Sequence, residues 1–283
     1  MKYLEVPECL LCAVESRFNE LRKFGVKDPR AYSEVSLTMS RVMGEGRSPL
    51  FVETFNTVIR VLGREDPHES EKRELEELGA LMAQEVERRL GDDLIGYFEV
   101  AAAANSVDVP MRDYQFDISD FVDQLFERAR WINVSGDGLL RVLSKELSIG
   151  YVVDNSGEFQ IDKLLIKELT KRGHRVTVYA RGRAYEVDVT ADYVRESLSV
   201  LRNVTVVSTG NNYPAFFSEK IRESLSKHDL VIVKGVGNLE AYLENNDKLN
   251  IRPLFLFRVK CGPMIRLFNV PKGTPVIYTP TPI

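Results

Sequence analysis

The stretch Gly150-Tyr151-Val152-Val153-Asp154-Asn155-Ser156-Gly157-Glu158 decides how this chain is read. A short apolar run stops abruptly at an acid, an amide, a hydroxyl and a glycine. A strongly periodic helical pattern, Phe159 to Lys171, follows it. That is how a buried strand delivers polar side chains at its C-terminal end, where open α/β sheets bind their ligands. Asp154 and Asn155 set two hard oxygen donors side by side, a pairing suited to Mg²⁺ or Mn²⁺. The same residue types favour turns and helix N-caps, so the nonapeptide alone leaves both readings open.

Downstream of it, strand-like and helical patterns alternate. The apolar runs are Tyr151–Val153, Arg175–Tyr179, Val204–Val207, Leu230–Val233, Leu254–Val259 and Pro275–Tyr278. Between them lie the helical patterns Phe159–Lys171, Ala191–Leu201, Ala215–Lys227, Leu239–Glu244 and Met264–Phe268. This rhythm predicts βαβ units and a mostly parallel sheet. Upstream the texture is helical throughout: Glu8–Lys23, Arg30–Met43, Leu50–Leu62, His68–Leu90, Asp93–Ala104, Ile118–Arg130 and Leu139–Leu147. In the first of these, Leu10, Leu11, Val14, Phe18 and Leu21 fall on roughly one face, and no β-rich run precedes residue 150. The expected architecture is an α/β protein with an all-helical N-terminal domain, 1–148, and a Rossmann-like α/β domain, 149–283.

Bulk properties narrow the function. The 283 residues are 44% hydrophobic and 28% charged, with a net charge of −4. Without a long basic run, nucleic-acid binding has little electrostatic support. No apolar stretch approaches the ~18 residues that span a bilayer, and the first residues lack signal-peptide character. Three cysteines, an odd number, argue against a disulfide framework. The expected setting is cytoplasmic, with no membrane partner. Cys9-Leu10-Leu11-Cys12 is half of a zinc pattern whose second half is missing, since Cys261 stands alone.

Four more segments at predicted strand ends carry polar chemistry. Asp188, in Glu186-Val187-Asp188-Val189-Thr190, stands just ahead of a helix, where an N-cap is the simpler reading. Ser208-Thr209-Gly210 could turn backbone N–H groups toward a phosphate, or form an ordinary strand-to-helix turn. Lys234-Gly235-Val236-Gly237-Asn238-Leu239-Glu240 ends an apolar strand with a cation and two glycines that permit close backbone approach. It lacks the third glycine of a dinucleotide fingerprint. Lys260 also follows an apolar strand and could meet an anion. In the helical half, Asn105 follows four alanines, where a C-cap would also place it. No Ser-His-acid arrangement is visible, and none of His68, His174 and His228 is assigned to catalysis.

In order and spacing these pieces resemble the metal-dependent damage-control phosphatases, whose stand-alone members join a helical N-terminal region to an α/β domain. The resemblance rests on Cys9-x-x-Cys12, Ala104-Asn105-Ser106-Val107-Asp108, Asp154-Asn155-Ser156-Gly157-Glu158, Asp188-Val189-Thr190, Lys234-Gly235-x-Gly237-Asn238-x-Glu240 and Lys260. It implies that Asp154, Asn155 and Asp188 hold a divalent cation (Mn²⁺, Mg²⁺, Co²⁺ or Ni²⁺). It implies that Lys260 meets the substrate phosphate. Asn105, Ser208, Thr209, Gly210, Lys234, Gly235, Asn238 and Glu240 would bind substrate, and Asp154 or Glu158 would help deprotonate water. The family loop often carries Asn just before the later Asp, where this chain has Val187. The implied reaction is hydrolysis of small phosphomonoesters, sugar phosphates among them.

Two rivals follow from the same residues. An aspartyl-phosphate mechanism needs Asp-x-Asp after the first strand, and here the sequence is Asp154-Asn155-Ser156. A non-catalytic nucleotide- or metabolite-binding module could use the same sheet edge, and it predicts binding without turnover. A methyltransferase reading comes last, because this sequence has no convincing glycine-rich first loop.

Overall fold

The computed structural model describes residues 7–105 and 118–282, so Ser106, Val107 and Asp108 of the Asn-Ser-Val-Asp piece lie outside the described residues. One sheet organises the chain. Its strands are β1 (Arg130–Ile132), β2 (Ser148–Val152), β3 (Arg175–Ala180), β4 (Val204–Ser208), β5 (Leu230–Lys234), β6 (Pro253–Arg258) and β7 (Pro275–Tyr278). They lie in the order β1-β7-β6-β5-β2-β3-β4, all parallel except the β6–β7 pair. The chain winds outward in one direction through β2, β3 and β4, then returns to the middle with β5, which pairs directly with β2. This reversal makes the crevice beyond the C-terminal ends of β2 and β5 the topological switch point of the sheet.

Helices cover both faces, as the buried strands require. On one face α4 (Glu69–Leu90), α5 (Leu94–Ala103) and α8 (Glu158–Lys171) pack Met82, Val86, Phe98, Phe159 and Leu165 against Ile149, Tyr151, Leu230 and Ile232. On the other, α10 (Glu219–Leu225), α11 (Val236–Asn245) and α12 (Gly262–Phe268) meet Val152, Val231, Val233, Phe255 and Phe257. The period of two along β5 therefore sends residues 230, 232 and 234 toward α5 and α8. A third group, α1 (Pro7–Lys23), α2 (Pro29–Val42) and α3 (Arg47–Leu62), builds its own apolar cluster. It sits over the C-terminal edge of the sheet, where Val52 and Phe55 of α3 pack on Tyr185.

The structure corrects several expectations. β1 is a strand inside the segment read as all-helical, and it pairs in parallel with β7 through Trp131 and Ile277. Three residues are too short to show a period of two. The helix read as Ile118–Arg130 is the shorter α6 (Ile118–Leu125), and β1 follows it. The apolar cluster that contains α4 and α5 also contains the sheet residues of the second half, so one core crosses residue 148. The buried face of α1 is Cys9, Ala13, Arg17, Glu20 and Leu21, whereas Leu10, Leu11 and Val14 are exposed. Arg17 lies within reach of the Phe51 and Phe55 rings and pairs with Glu20 and Glu186, which explains how so polar a face is tolerated. The helix read as Ala215–Lys227 is broken by Ser218, whose hydroxyl caps α10 at Ile221 N. Finally, α7 (Gly136–Val142) starts three residues earlier than its apolar pattern, at the Ser135 cap.

Candidate functional site

Asp154, Asn155 and Asp188 are brought together by backbone. Asn155 and Asp188 form an isolated antiparallel bridge. Ser156 N donates to the Val187 carbonyl (2.8 Å) and Val189 N to the Asp154 carbonyl (3.0 Å). Neither loop is doing the work of a helix cap. Gly157 occupies the N-cap of α8, and Thr190 that of α9 (Ala191–Ser197), with no side-chain cap bond at either. Ala104, not Asn105, is the C-cap of α5. The simpler readings of these three polar positions therefore fall away.

A cleft of about 420 Å³ opens over this junction. Among the described residues, its lining includes Asp154, Asn155, Asp188, Gly237, Glu240 and Lys260. That volume suits a small metabolite. Its far wall comes from α1 and α3 through Cys9, Cys12, Ser16, Arg47 and Phe51. The Arg47 guanidinium lies 4.1 Å from the Phe51 ring centre and 2.6 Å from Glu240 Oε2. That second approach is an ion pair between two largely buried side chains. Burial pushes the Glu240 carboxyl up to about 7, against the pull of Arg47.

The metal candidates sit in a field that favours a cation. Asp154 is buried, and its carboxyl is held well above the usual carboxylate range. Burial is the first cause, then the charges of Asp188 and Glu158, with Lys260 and Arg181 opposing. Asp188 is paired with Arg181, whose guanidinium also bonds the Asn212 carbonyl and stacks 4.1 Å from the Tyr185 ring centre. Two carboxylates and an amide oxygen fit a hard divalent ion. Among the described residues no three His, Cys, Asp or Glu side chains gather as a metal cage around Cys9 and Cys12. Both instead line the cleft beside Cys261.

Several expected site residues lie behind the cleft rather than in it. Lys234 is wholly buried and donates to the Ala101 carbonyl, so it cannot reach a phosphate in the cleft. Burial works against its charge, but Asp162 and Glu158 outweigh this and raise the ammonium's pKa. Glu158 is 1% exposed, and its oxygens take Asn105 Nδ2 (3.1 Å each), Asn155 N (3.0 Å) and Lys234 Nζ (3.3 Å). A carboxylate so enclosed does not deprotonate a water in the cleft. Asn105 Nδ2 also reaches Asp154 Oδ2 (3.3 Å), and Asn238 Nδ2 bonds the Val153 and Lys234 carbonyls (3.1 and 2.9 Å) and lies 3.4 Å from Asp154 Oδ1. Both amides thus buttress Asp154. Gly235, at φ +76°, leaves the space that Asp154 Oδ2 fills.

Ser208, Thr209 and Gly210 are not in the cleft lining. Their donors are already used: Thr209 N on the Ala180 carbonyl (3.0 Å) and Gly210 N on Ser208 Oγ (3.0 Å). Thr209 Oγ1 receives Gly182 N (3.2 Å), so this loop braces the one after β3. Sequence reasoning missed Arg181, Arg47, Tyr185 and Asp162. Arg181 directly follows the β3 strand, the kind of position that exposed Asp154 and Lys260. Nothing local marks Arg47, which reaches the cleft only because α3 packs on α11.

With this geometry in place, comparisons with known proteins are informative. The profile of the damage-control phosphatase ARMT1-like domain matches residues 6–276. A Pyrococcus horikoshii protein named damage-control phosphatase is 27% identical over 279 residues, 94% of each chain. An Archaeoglobus fulgidus protein of the same name is 26% identical over 230 residues, 76% of each chain. The crystal structure of a DUF89 family protein from Pyrococcus horikoshii superposes with a TM-score of 0.80 at 22% identity, covering 98% of this chain and 99% of that one. At that identity the likeness speaks for the fold.

Proposed function

The chain belongs to the damage-control phosphatase ARMT1-like family, and from that premise we propose that it is a metal-dependent phosphomonoester hydrolase acting on small phosphorylated metabolites such as sugar phosphates. The observation that carries this reading is the convergence of Asp154, Asn155 and Asp188 on a cleft that Lys260 also lines. A divalent ion (Mn²⁺, Mg²⁺, Co²⁺ or Ni²⁺) held by Asp154, Asn155 and Asp188 would supply charge screening of the phosphate and a lowered pKa for water. Lys260 binds the phosphate and stabilises charge as the ester bond breaks. Of the two carboxylates considered for accepting the water's proton, Asp154 faces the cleft and Glu158 does not. Arg47 faces the rest of the substrate as a donor, with Glu240 paired behind it.

The test is phosphate release from a panel of sugar phosphates and p-nitrophenyl phosphate with each metal, with EDTA, and with Asp154→Ala. The expected result is metal-dependent release, abolished by EDTA and by the substitution while a cooperative thermal transition is retained. No release from any substrate with any metal, by a folded protein that still binds these ligands, would favour the binding-module reading.

A further inference from the structure

Beneath the cleft floor lies a buried polar cluster out of reach of substrate. The Lys234 ammonium donates to the Ala101 carbonyl (2.8 Å) and to Glu158 Oε2 (3.3 Å), and it lies 2.8 Å from Asp162 Oδ1. Asp162 Oδ1 also accepts the Tyr151 hydroxyl (2.8 Å), while Asp162 Oδ2 has no hydrogen-bond partner among the described residues. All four side chains are buried. Burying so many charges costs desolvation that an apolar replacement of the same volume avoids, so packing alone does not account for the cluster.

What the cluster touches does. Glu158 turns Oε2 to the lysine and Oε1 to Asn155 N (3.0 Å), the backbone of a candidate metal ligand. Asn105, held by both Glu158 oxygens, reaches Asp154 Oδ2. We propose that Lys234, Asp162 and Tyr151 are positioning residues that fix Glu158 and, through it, hold the Asp154-Asn155 pair in the arrangement that receives a divalent cation. A carboxylate with one oxygen clamped by a wholly buried lysine cannot rotate, so the loop it grips is preset before the ion arrives. The proposal rests on the metal reading above.

The experiment is calorimetric titration of the full chain with Mn²⁺, with the metal-free thermal midpoint of each variant measured alongside. Lys234→Met is expected to weaken Mn²⁺ binding roughly 10-fold, the low end of what disturbing the outer partners of a metal ligand costs, because Lys234 acts through Glu158. Lys234→Met/Asp162→Asn removes one charge of each sign. It is expected to recover folding while leaving Mn²⁺ binding weak, because Glu158 still lacks its clamp. Tyr151→Phe deletes one hydroxyl and is expected to weaken binding about 3- to 10-fold; it carries the test if Lys234→Met does not fold. Mn²⁺ affinity equal to the parent's in the folded variants would overturn the proposal and leave the metal reading standing. Absence of binding of Mn²⁺, Mg²⁺, Co²⁺ and Ni²⁺ alike by the parent protein would overturn both.

Discussion

Gly235 and Asp154 are fitted to each other: a Cβ at position 235 would overlap Asp154 Oδ2. The glycine at the end of β5 is therefore a requirement of the carboxylate at the end of β2, across the switch point of the sheet. Gly235→Ala should displace Asp154 and force a non-glycine residue to φ +76°. Urea denaturation should show a loss of about 1–3 kcal/mol, and Mn²⁺ affinity should fall. An alanine variant with parental stability and metal binding would show that Asp154 has room to move.

Asp154→Asn separates function from stability. At neutral pH the native carboxyl is disfavoured as an anion by burial and by Asp188 and Glu158. An amide of the same shape removes that charge conflict, at the cost of one NH2 facing a neighbouring amide donor. The metal-free thermal midpoint should rise or hold, while phosphate release drops by at least about 10²-fold. A lowered midpoint would mean that the Asn105 and Asn238 contacts depend on the charge.

Lys260→Ala tests the phosphate contact. Lys260 is half-buried in the cleft lining, so its loss should cost kcat/KM about 10²- to 10³-fold, as for one lost transition-state donor. Steady-state kinetics would show this, and little change in the thermal midpoint should accompany it. An unchanged kcat/KM would remove Lys260 from the mechanism.

Glu240 predicts a pH dependence of stability. Its carboxyl is raised from 4.5 to about 7, chiefly by burial. The folded state thus holds a proton that the unfolded chain releases. This contribution is full below pH 4.5, declines as pH rises, and is gone above about 7. The thermal midpoint should fall between pH 5 and pH 8, and Glu240→Gln should flatten that fall. Parallel profiles for parent and variant would contradict the assignment.

The strands β2 to β7 were legible because buried parallel strands are nearly continuous apolar runs, and the polar residues ending them marked the crevice. β1 was not, because Arg130-Trp131-Ile132 is a strand only through its pairing with β7. Lys234 shows a subtler limit. The sequence places it at a strand end, but which sheet face it joins follows from the period of two and from where α5 and α8 pack. The step from Val233 to Lys234 turns the side chain from one helix layer to the other. Ser208-Thr209-Gly210 looked like a phosphate loop by composition, yet Thr209 N donates to the Ala180 carbonyl and Gly210 N to Ser208 Oγ within the loop itself. Arg181 was legible in principle, by the same rule that singled out Asp154.

The cleft is assembled from two sources: the sheet edge supplies the metal candidates and Lys260, while α1 and α3 supply the opposite wall. The candidate metal ligands and much of the opposite wall therefore come from different stretches of polypeptide. Under the proposed function, exchanging Ser16, Arg47 or Phe51 would reshape the space left for the departing alcohol without touching the backbone that joins Asn155 to Asp188. Under that reading, changes within the first sixty residues would alter which substrate fits, while the candidate metal ligands and Lys260 stay as they are.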